Sequence, residues 1–219
     1  MLKALLYKEL RETGWITLLA LAAYFVAAAS CAGYPLLPIF GRGWEVGEIP
    51  FLDGSFITAF CWISVAYTIA LGFRQTAFES ARGTWVFLLH RPASIRYLFA
   101  VKLAVGAASY LLCGAVAILG YAAWAATPGK HASPFEWWMT AWAWRAWAVI
   151  TLVYLGAFLA GIRPARWFGT RLLPLPAAGI MAPLVAIIPC WPVLGVAALA
   201  VVCGCLVGVT YFVVRTRDF

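Results

Sequence analysis

Charged residues are scarce in this chain: they make up 11% of its 219 residues, whereas 65% are hydrophobic and the mean hydropathy is +0.91. Soluble domains carry about 25% charged residues. A soluble fold of this length cannot bury so much apolar surface, so the composition predicts that lipid surrounds much of the chain. The length leaves room for about six spans of roughly 20 residues and for no separate soluble domain. Residues 1–219 are therefore predicted to form a single transmembrane domain.

The chain also lacks the motifs that mark common catalytic and metal sites. It contains no Gly-x-x-x-x-Gly-Lys-Ser/Thr phosphate loop, no His-Glu-x-x-His, no Gly-x-Ser-x-Gly and no Cys-x-x-Cys. The six cysteines lie in or beside apolar runs without His or carboxylate neighbours at ligand spacing, which favours small buried hydrophobic residues over metal ligands. The sequence thus predicts neither an enzyme nor a cofactor or metal site on this chain.

Apolar runs separated by polar or proline-containing segments predict an all-α membrane protein with six spans. The runs cover residues 15–34, 55–73, 98–126, 148–162, 172–188 and 193–214. The fourth span is predicted to start near Thr140, with the Trp-rich residues 134–147 either interfacial or part of the span. Three prolines interrupt the fifth, which is predicted to pack inside an assembly or to be partly re-entrant.

Positive charge is unevenly divided between the two predicted faces of the membrane. Eight acidic residues split four and four, and only Arg42, Lys130 and Arg145 fall on the opposite side from the other cations. The positive-inside rule therefore predicts that the cation-rich side, with both termini, is cytoplasmic. Cations at the ends of apolar runs also account for the net charge of +8 without nucleic-acid binding. Thirteen of the sixteen Lys and Arg residues lie on the cation-rich side: Lys3, Lys8, Arg11, Arg74, Arg82, Arg91, Arg96, Lys102, Arg163, Arg166, Arg171, Arg215 and Arg217.

The residues before the first span have a helical pattern of their own. Leu2, Leu5, Leu6 and Leu10 lie on one arc at helical spacing. This predicts a short amphipathic helix over residues 1–14 on the cytoplasmic membrane surface, with a frayed terminus as the alternative. Glu9 projects into the leucine arc, which suggests contact with a protein partner rather than with lipid.

A polar and basic segment, residues 74–97, joins the second and third spans. Residues 75–90 suit a short cytoplasmic helix. Pro92 disfavours helix at the residue before it, and Ser94 can cap a helix that starts near Ile95. The pattern predicts a cytoplasmic helix–turn–helix, here called the elbow, whose cations can pair with lipid phosphates or with an acidic partner.

The elbow and the start of the third span carry a recurring order of residues. In sequence they are Glu79, Gly83, Thr84, Leu88, Leu89, Pro92, Ser94, Arg96, Lys102 and Leu103. This order resembles the signature of ABC exporter permeases of the type 2 class, and LLYKELRET near the start resembles that family's N-terminal cytoplasmic helix. Two positions depart from the pattern, since Ile95 stands where arginine often follows the serine and Val86 where an acidic residue is common.

The resemblance implies a permease subunit of an ATP-driven exporter in the cytoplasmic (inner) membrane of a bacterium. The elbow would be seated in a separate ATP-binding-cassette subunit that holds ATP and magnesium. Two permease copies, as a homo- or heterodimer, would work with two such subunits, and ATP-driven closure would switch the transmembrane cavity between two packings. The implied partner-coupling residues are Glu9, Glu79, Gly83, Thr84, Arg91, Pro92, Ser94, Arg96 and Lys102.

The residues alone leave other functions open. An ion-coupled transporter or channel normally has carboxylates, His or Lys within the membrane, and this sequence places no charged residue near a bilayer centre. A scaffold or assembly subunit is a further alternative, in which the elbow contacts lipid headgroups. For an exporter, the expected cavity is lined by Trp, Phe, Tyr, Ala and small polar residues. Such a cavity suits an amphiphile: a lipid, a hydrophobic peptide or a drug-like compound.

Overall fold

A computed structural model describes residues 2–34, 49–81, 95–127 and 135–216 of the chain. In these ranges the protein is helical and contains no strand. All six predicted spans correspond to stretches of helix that are long and apolar enough to cross a membrane. The fold class is therefore confirmed as an all-α, multi-pass arrangement. The helices are α1 (Leu2–Cys31), α2 (Ser55–Ala81), α3 (Ile95–Ala125), α4 (Ala141–Ile162), α5 (Pro174–Ala186) and α6 (Val196–Thr216).

The first helix is longer than the sequence predicted. α1 continues without a break from Leu2 to Cys31. The prediction of a separate surface helix over residues 1–14 is therefore wrong, and these residues belong to the first turns of the first spanning helix. The physical reason is a single buried stripe at helical spacing that includes Leu5, Glu9, Thr13 and Ile16. Leu5 packs against α3 rather than lying on a membrane surface.

The fourth helix forms the centre of the bundle. α4 packs most extensively against α2, and it also contacts α3, α5 and α6. Small residues permit this close packing, as is common between membrane helices. A Cβ added at Gly72 would lie 2.8 Å from Cβ of Ala157, and one added at Gly161 would overlap the hydroxyl of Thr76. The helix begins after a short turn at Trp137–Thr140, which confirms the predicted start near Thr140.

The last two helices lie at the periphery. α5 is short, with 13 residues that span about 20 Å, and it packs on α4 where Gly156 meets Pro174 and Ala178. Cys190 has a left-handed backbone conformation, and a wide turn at Trp191–Gly195 follows it. α6 begins directly after this turn. Most of the apolar side chains of α6 are exposed, as expected for a helix covered by lipid or by another chain.

Arg145 lies near the start of α4, on the side of the protein with few cations. Its guanidinium carbon is 4.8 Å from the ring centre of Trp142 and 5.8 Å from that of Trp191. Both distances suit a cation–π contact. The turn before α6 thereby contacts the start of α4.

Candidate functional site

Three charged side chains from three helices meet inside the bundle. Lys102 Nζ on α3 donates to Glu9 Oε1 on α1 at 2.6 Å and to Glu79 Oε1 on α2 at 2.8 Å. None of the three side chains is more than 5% exposed. Burying a charge is costly unless it is paired and hydrogen-bonded, and this geometry pairs the ammonium group with one oxygen of each carboxylate. We call Glu9, Glu79 and Lys102 the charge cluster.

A partly exposed layer of charges extends the charge cluster towards the surface. Lys8 Nζ lies 3.0 Å from Glu79 Oε1 and 3.6 Å from Glu12 Oε1. Arg74 Nη1 lies 3.9 Å from Glu12 Oε2. α1 and α2 are thus joined by ion pairs from the interior to the rim of the bundle.

A hydrogen-bonded layer on the other side of the charge cluster connects it to α4. Gln75 Nε2 donates to the backbone carbonyl of Lys102 at 2.8 Å, and the hydroxyl of Tyr154 donates to Gln75 Oε1 at 2.8 Å. The same hydroxyl lies 3.2 Å from the carbonyl of Leu103. A Cβ added at Gly106 would overlap both the Tyr154 hydroxyl and Gln75 Oε1, so a glycine is needed there for α3 to approach this network.

The charge cluster sits at one end of the apolar stretches. α1 has no Asp, Glu, Lys or Arg in residues 13–31, and α3 has none in residues 103–125. These stretches are about 28 and 35 Å long, enough for a hydrocarbon core of about 30 Å. The charge cluster therefore lies beside, and not within, the part of α1 and α3 that can cross the hydrocarbon core.

The structure brings together three of the predicted partner-coupling residues: Glu9, Glu79 and Lys102. It shows Glu9 bonded to Lys102 of its own chain rather than presented on the outside. Arg96 lies in the first turn of α3. The role of all nine residues in contacting a partner stays a prediction. The remaining five lie outside the described residues: Gly83, Thr84, Arg91, Pro92 and Ser94.

Only the two arms of the predicted elbow fall in the described part of the chain. The second span continues as α2 to Ala81, so residues 75–81 extend that helix instead of beginning a separate one. α3 starts at Ile95, as predicted. Residues 82–94, which form the rest of the elbow, are outside the described ranges.

Sequence reasoning missed five members of this network: Lys8, Glu12, Arg74, Gln75 and Tyr154. Lys8, Glu12 and Arg74 were counted only in the division of charge between the two predicted faces. Gln75 and Tyr154 carried a weak signal, namely polar atoms in or beside apolar helices, which need partners where there is no water. Nothing in the sequence indicated which partners those would be.

The carboxylates of the network have a spacing that a metal site can also have. Oxygens of Glu9, Glu12 and Glu79 lie within 4.8 Å of one another. The ammonium groups of Lys8 and Lys102, however, lie 2.6 to 3.6 Å from these oxygens and take the place that a cation would occupy. The arrangement therefore favours an ion-pair network over metal binding.

An apolar cleft lies at the opposite end of the bundle. It has a volume of about 550 Å³ between α1 and α3. Aromatic rings of Tyr24, Phe25, Tyr121 and Trp124 line it together with alanines and a glycine. The Tyr24 hydroxyl is satisfied by Ser64 Oγ at 2.6 Å, so the cleft offers mainly apolar surface to a ligand.

Compared with protein families, with curated proteins and with solved structures, the chain gives no match. Its function therefore has to follow from its own features. Those features are the charge asymmetry, the charge cluster at the cation-rich end and the apolar cleft at the other end.

Proposed function

We propose that the chain is the membrane-spanning permease subunit of an ATP-driven exporter of the ABC type. The resemblance of residues 79–103 to the signature of that class supports the proposal, together with the six spanning helices. The observation that carries it is the charge cluster. Glu79 near the end of α2 and Lys102 near the start of α3 join the two arms that flank residues 82–94.

The contact between Glu79 and Lys102 can transmit movement of the elbow to the helices. A force applied to the elbow by an ATPase subunit would reach α2 and α3 together, because Glu79 and Lys102 are paired in a buried environment. Glu9 passes the displacement to α1, and Gln75 with Tyr154 passes it to α4. Switching between two packings requires such a rigid connection between a docking segment and the helices that move.

The apolar cleft supports the proposed class of substrate. Its aromatic and alanine lining resembles the cavity expected for an amphiphile, and it lies at the end away from the charge cluster. An exporter of this kind would accept a lipid, a hydrophobic peptide or a drug-like compound and release it outward. The proposal places both termini and the elbow in the cytoplasm of a bacterium, with the chain in the inner membrane as one half of a homo- or heterodimer.

Ion-coupled transport has less support from these contacts. The buried carboxylates are paired with lysines, and they lie at the end of the apolar stretches. Proton or ion relays are usually charged groups facing a pathway inside the membrane. A scaffold subunit is the remaining alternative, and it differs from an exporter in having no nucleotide-dependent activity.

Two measurements test the exporter. The tagged chain is purified from its native membrane, and a stoichiometric ATP-binding-cassette protein is expected to accompany it. In the reconstituted complex, Glu79→Gln is expected to reduce substrate-stimulated ATP hydrolysis at least tenfold, which corresponds to about 1.4 kcal/mol, because it weakens the junction between the arms. Glu12→Gln is the matched control, since Glu12 lies in the partly exposed layer. Repeated purification without an ATPase, or equal activities in both variants, would contradict the proposal.

A further inference from the structure

We infer that a pocket beside the charge cluster binds the phosphodiester group of an anionic phospholipid. The pocket has a volume of about 470 Å³ and opens between α1 and α2 at the cation-rich end of the bundle. We call it the rim pocket. The inference concerns lipid binding by this chain alone and does not depend on the exporter proposal. The pocket is lined by Tyr7, Lys8, Arg11, Glu12, Trp15 and Arg74.

The charges in and beside the rim pocket do not balance within the described part of the chain. Four cations face three carboxylates, which leaves one positive charge, the complement of a phosphodiester. The cations are Lys8, Arg11, Arg74 and Lys102, and the carboxylates are Glu9, Glu12 and Glu79.

The surplus charge is located on the arginines. Lys8 and Lys102 are held by Glu79 at 3.0 and 2.8 Å. Arg11 forms no ion pair with any residue that the structure describes, and the contact of Arg74 with Glu12 is long, at 3.9 Å. Guanidinium groups present paired donors that match phosphate oxygens. Arg11 and Arg74 are therefore the expected phosphate ligands.

The depth and surroundings of the rim pocket point to a lipid rather than to free phosphate. Trp15 and Tyr7 are 56% and 69% exposed, and such rings are characteristic of the level of lipid headgroups. The uncharged stretch of α1 begins two residues before Trp15. Leu18 and Leu19, on the next turn, are also exposed. A phosphate in the pocket would thus have an apolar strip beside it along which acyl chains can lie.

Native mass spectrometry of the purified full chain in detergent tests this inference. The chain is titrated with phosphatidylglycerol or with phosphatidylcholine of the same acyl chains, and bound lipid is counted. One phosphatidylglycerol per chain is expected to bind in preference to phosphatidylcholine. Arg11→Gln is expected to weaken its binding about fivefold, and Arg11→Gln with Arg74→Gln about 25-fold, since each cation near an anionic headgroup contributes about that factor.

Arg145→Gln is the matched control, because it removes an equal charge from the other end of the bundle. Its affinity for phosphatidylglycerol is expected to equal that of the unmodified chain. Arg11 is exposed, so Arg11→Gln retains the fold even if the double variant does not. Equal binding of both lipids, or unchanged affinity in Arg11→Gln, would overturn the inference. Displacement of the lipid by inorganic phosphate at equal concentration would show a phosphate site instead and would also overturn it.

Discussion

Lys102 is held by two carboxylates from different helices, and its own carbonyl accepts a hydrogen bond from Gln75. The two carboxylates repel each other, and the ammonium group between them compensates for that repulsion. Removing one member of a buried ion network leaves an uncompensated charge, which is more costly than removing the whole network. Lys102 is therefore the residue of the charge cluster whose loss should affect stability most.

Lys102→Met is expected to lower the free energy of unfolding by about 3–5 kcal/mol, because it leaves the buried Glu9 and Glu79 with only the partly exposed Lys8 as a cationic partner. The measurement is a denaturant titration of the purified chain in detergent. Lys3→Met is the control, since Lys3 is an exposed lysine on the same end of α1, and its effect should be within about 0.5 kcal/mol.

A second substitution distinguishes charge imbalance from lost packing. In the double variant Lys102→Met with Glu9→Gln, Glu79 is the one carboxylate of the charge cluster that remains, and Lys8 Nζ lies 3.0 Å from its Oε1. The double variant should be more stable than the sum of the single effects predicts, by roughly 0.5–3 kcal/mol. Strict additivity of the two substitutions would show that the charge cluster does not act as a unit.

At the scale of helices, packing depends on where small residues fall. α3 carries Gly106, where an added Cβ would overlap Tyr154 and Gln75, and Gly120, where an added Cβ meets nothing within 4 Å. The two glycines are on one helix and differ only in their surroundings. They offer a matched pair for testing the contact between α3, α2 and α4.

Gly106→Ala is expected to destabilise the protein by about 1–3 kcal/mol, as overpacking does. Gly120→Ala should be neutral or stabilising by up to about 1 kcal/mol, because alanine is the better helix former. Thermal unfolding of both variants, under identical detergent conditions, gives the comparison. Equal midpoints would mean that the approach of α3 to Tyr154 is not tight in solution.

Helices were the part of the structure that the sequence predicted well. Six apolar runs became six helices, α3 begins at Ile95 as expected, and α4 follows directly after Thr140. These outcomes depend on local composition and on capping or interfacial residues, which a single sequence displays. The error on α1 has the same origin, because the leucine arc was interpreted from local periodicity alone.

The contacts of the candidate site were not predictable in the same way. Lys102 is 93 positions from Glu9, and Lys8 is 71 positions from Glu79. Helical periodicity selected Glu9, and family resemblance selected Glu79 and Lys102, each separately as a contact for a partner. Only the packing of α1, α2 and α3 against one another shows that the three residues meet, and nothing in the sequence specifies that packing.

At the scale of the whole molecule, cations and aromatic rings divide the bundle into two ends. The charge cluster and rim pocket lie at the cation-rich end, and the apolar cleft lies at the other. The assignment of the cation-rich end to the cytoplasm follows from the charge count alone. It can be tested on the chain by itself, in intact cells.

Single cysteines placed at Lys3 and Ser133 of a cysteine-free variant are expected to react differently with an impermeant maleimide added to intact cells. Ser133→Cys should be labelled, because it is close in sequence to Lys130, which lies on the cation-poor side that is predicted to face outward. Lys3→Cys should be labelled only after the cells are opened. The reverse pattern would invert the topology and place the rim pocket in the outer leaflet.

The position of Glu9 on α1 has a consequence for biogenesis. When α1 enters the bilayer during synthesis, Lys102 has not yet been synthesised. The Glu9 carboxylate therefore has no partner until about ninety further residues have been added. Because Glu9 precedes the uncharged stretch, it can remain hydrated at the membrane edge during that interval. Insertion of the individual helices and their later assembly can thus proceed as separate stages. Water is excluded from the Glu9 carboxylate only at the assembly stage, when α3 packs against α1 and brings the Lys102 ammonium group to it.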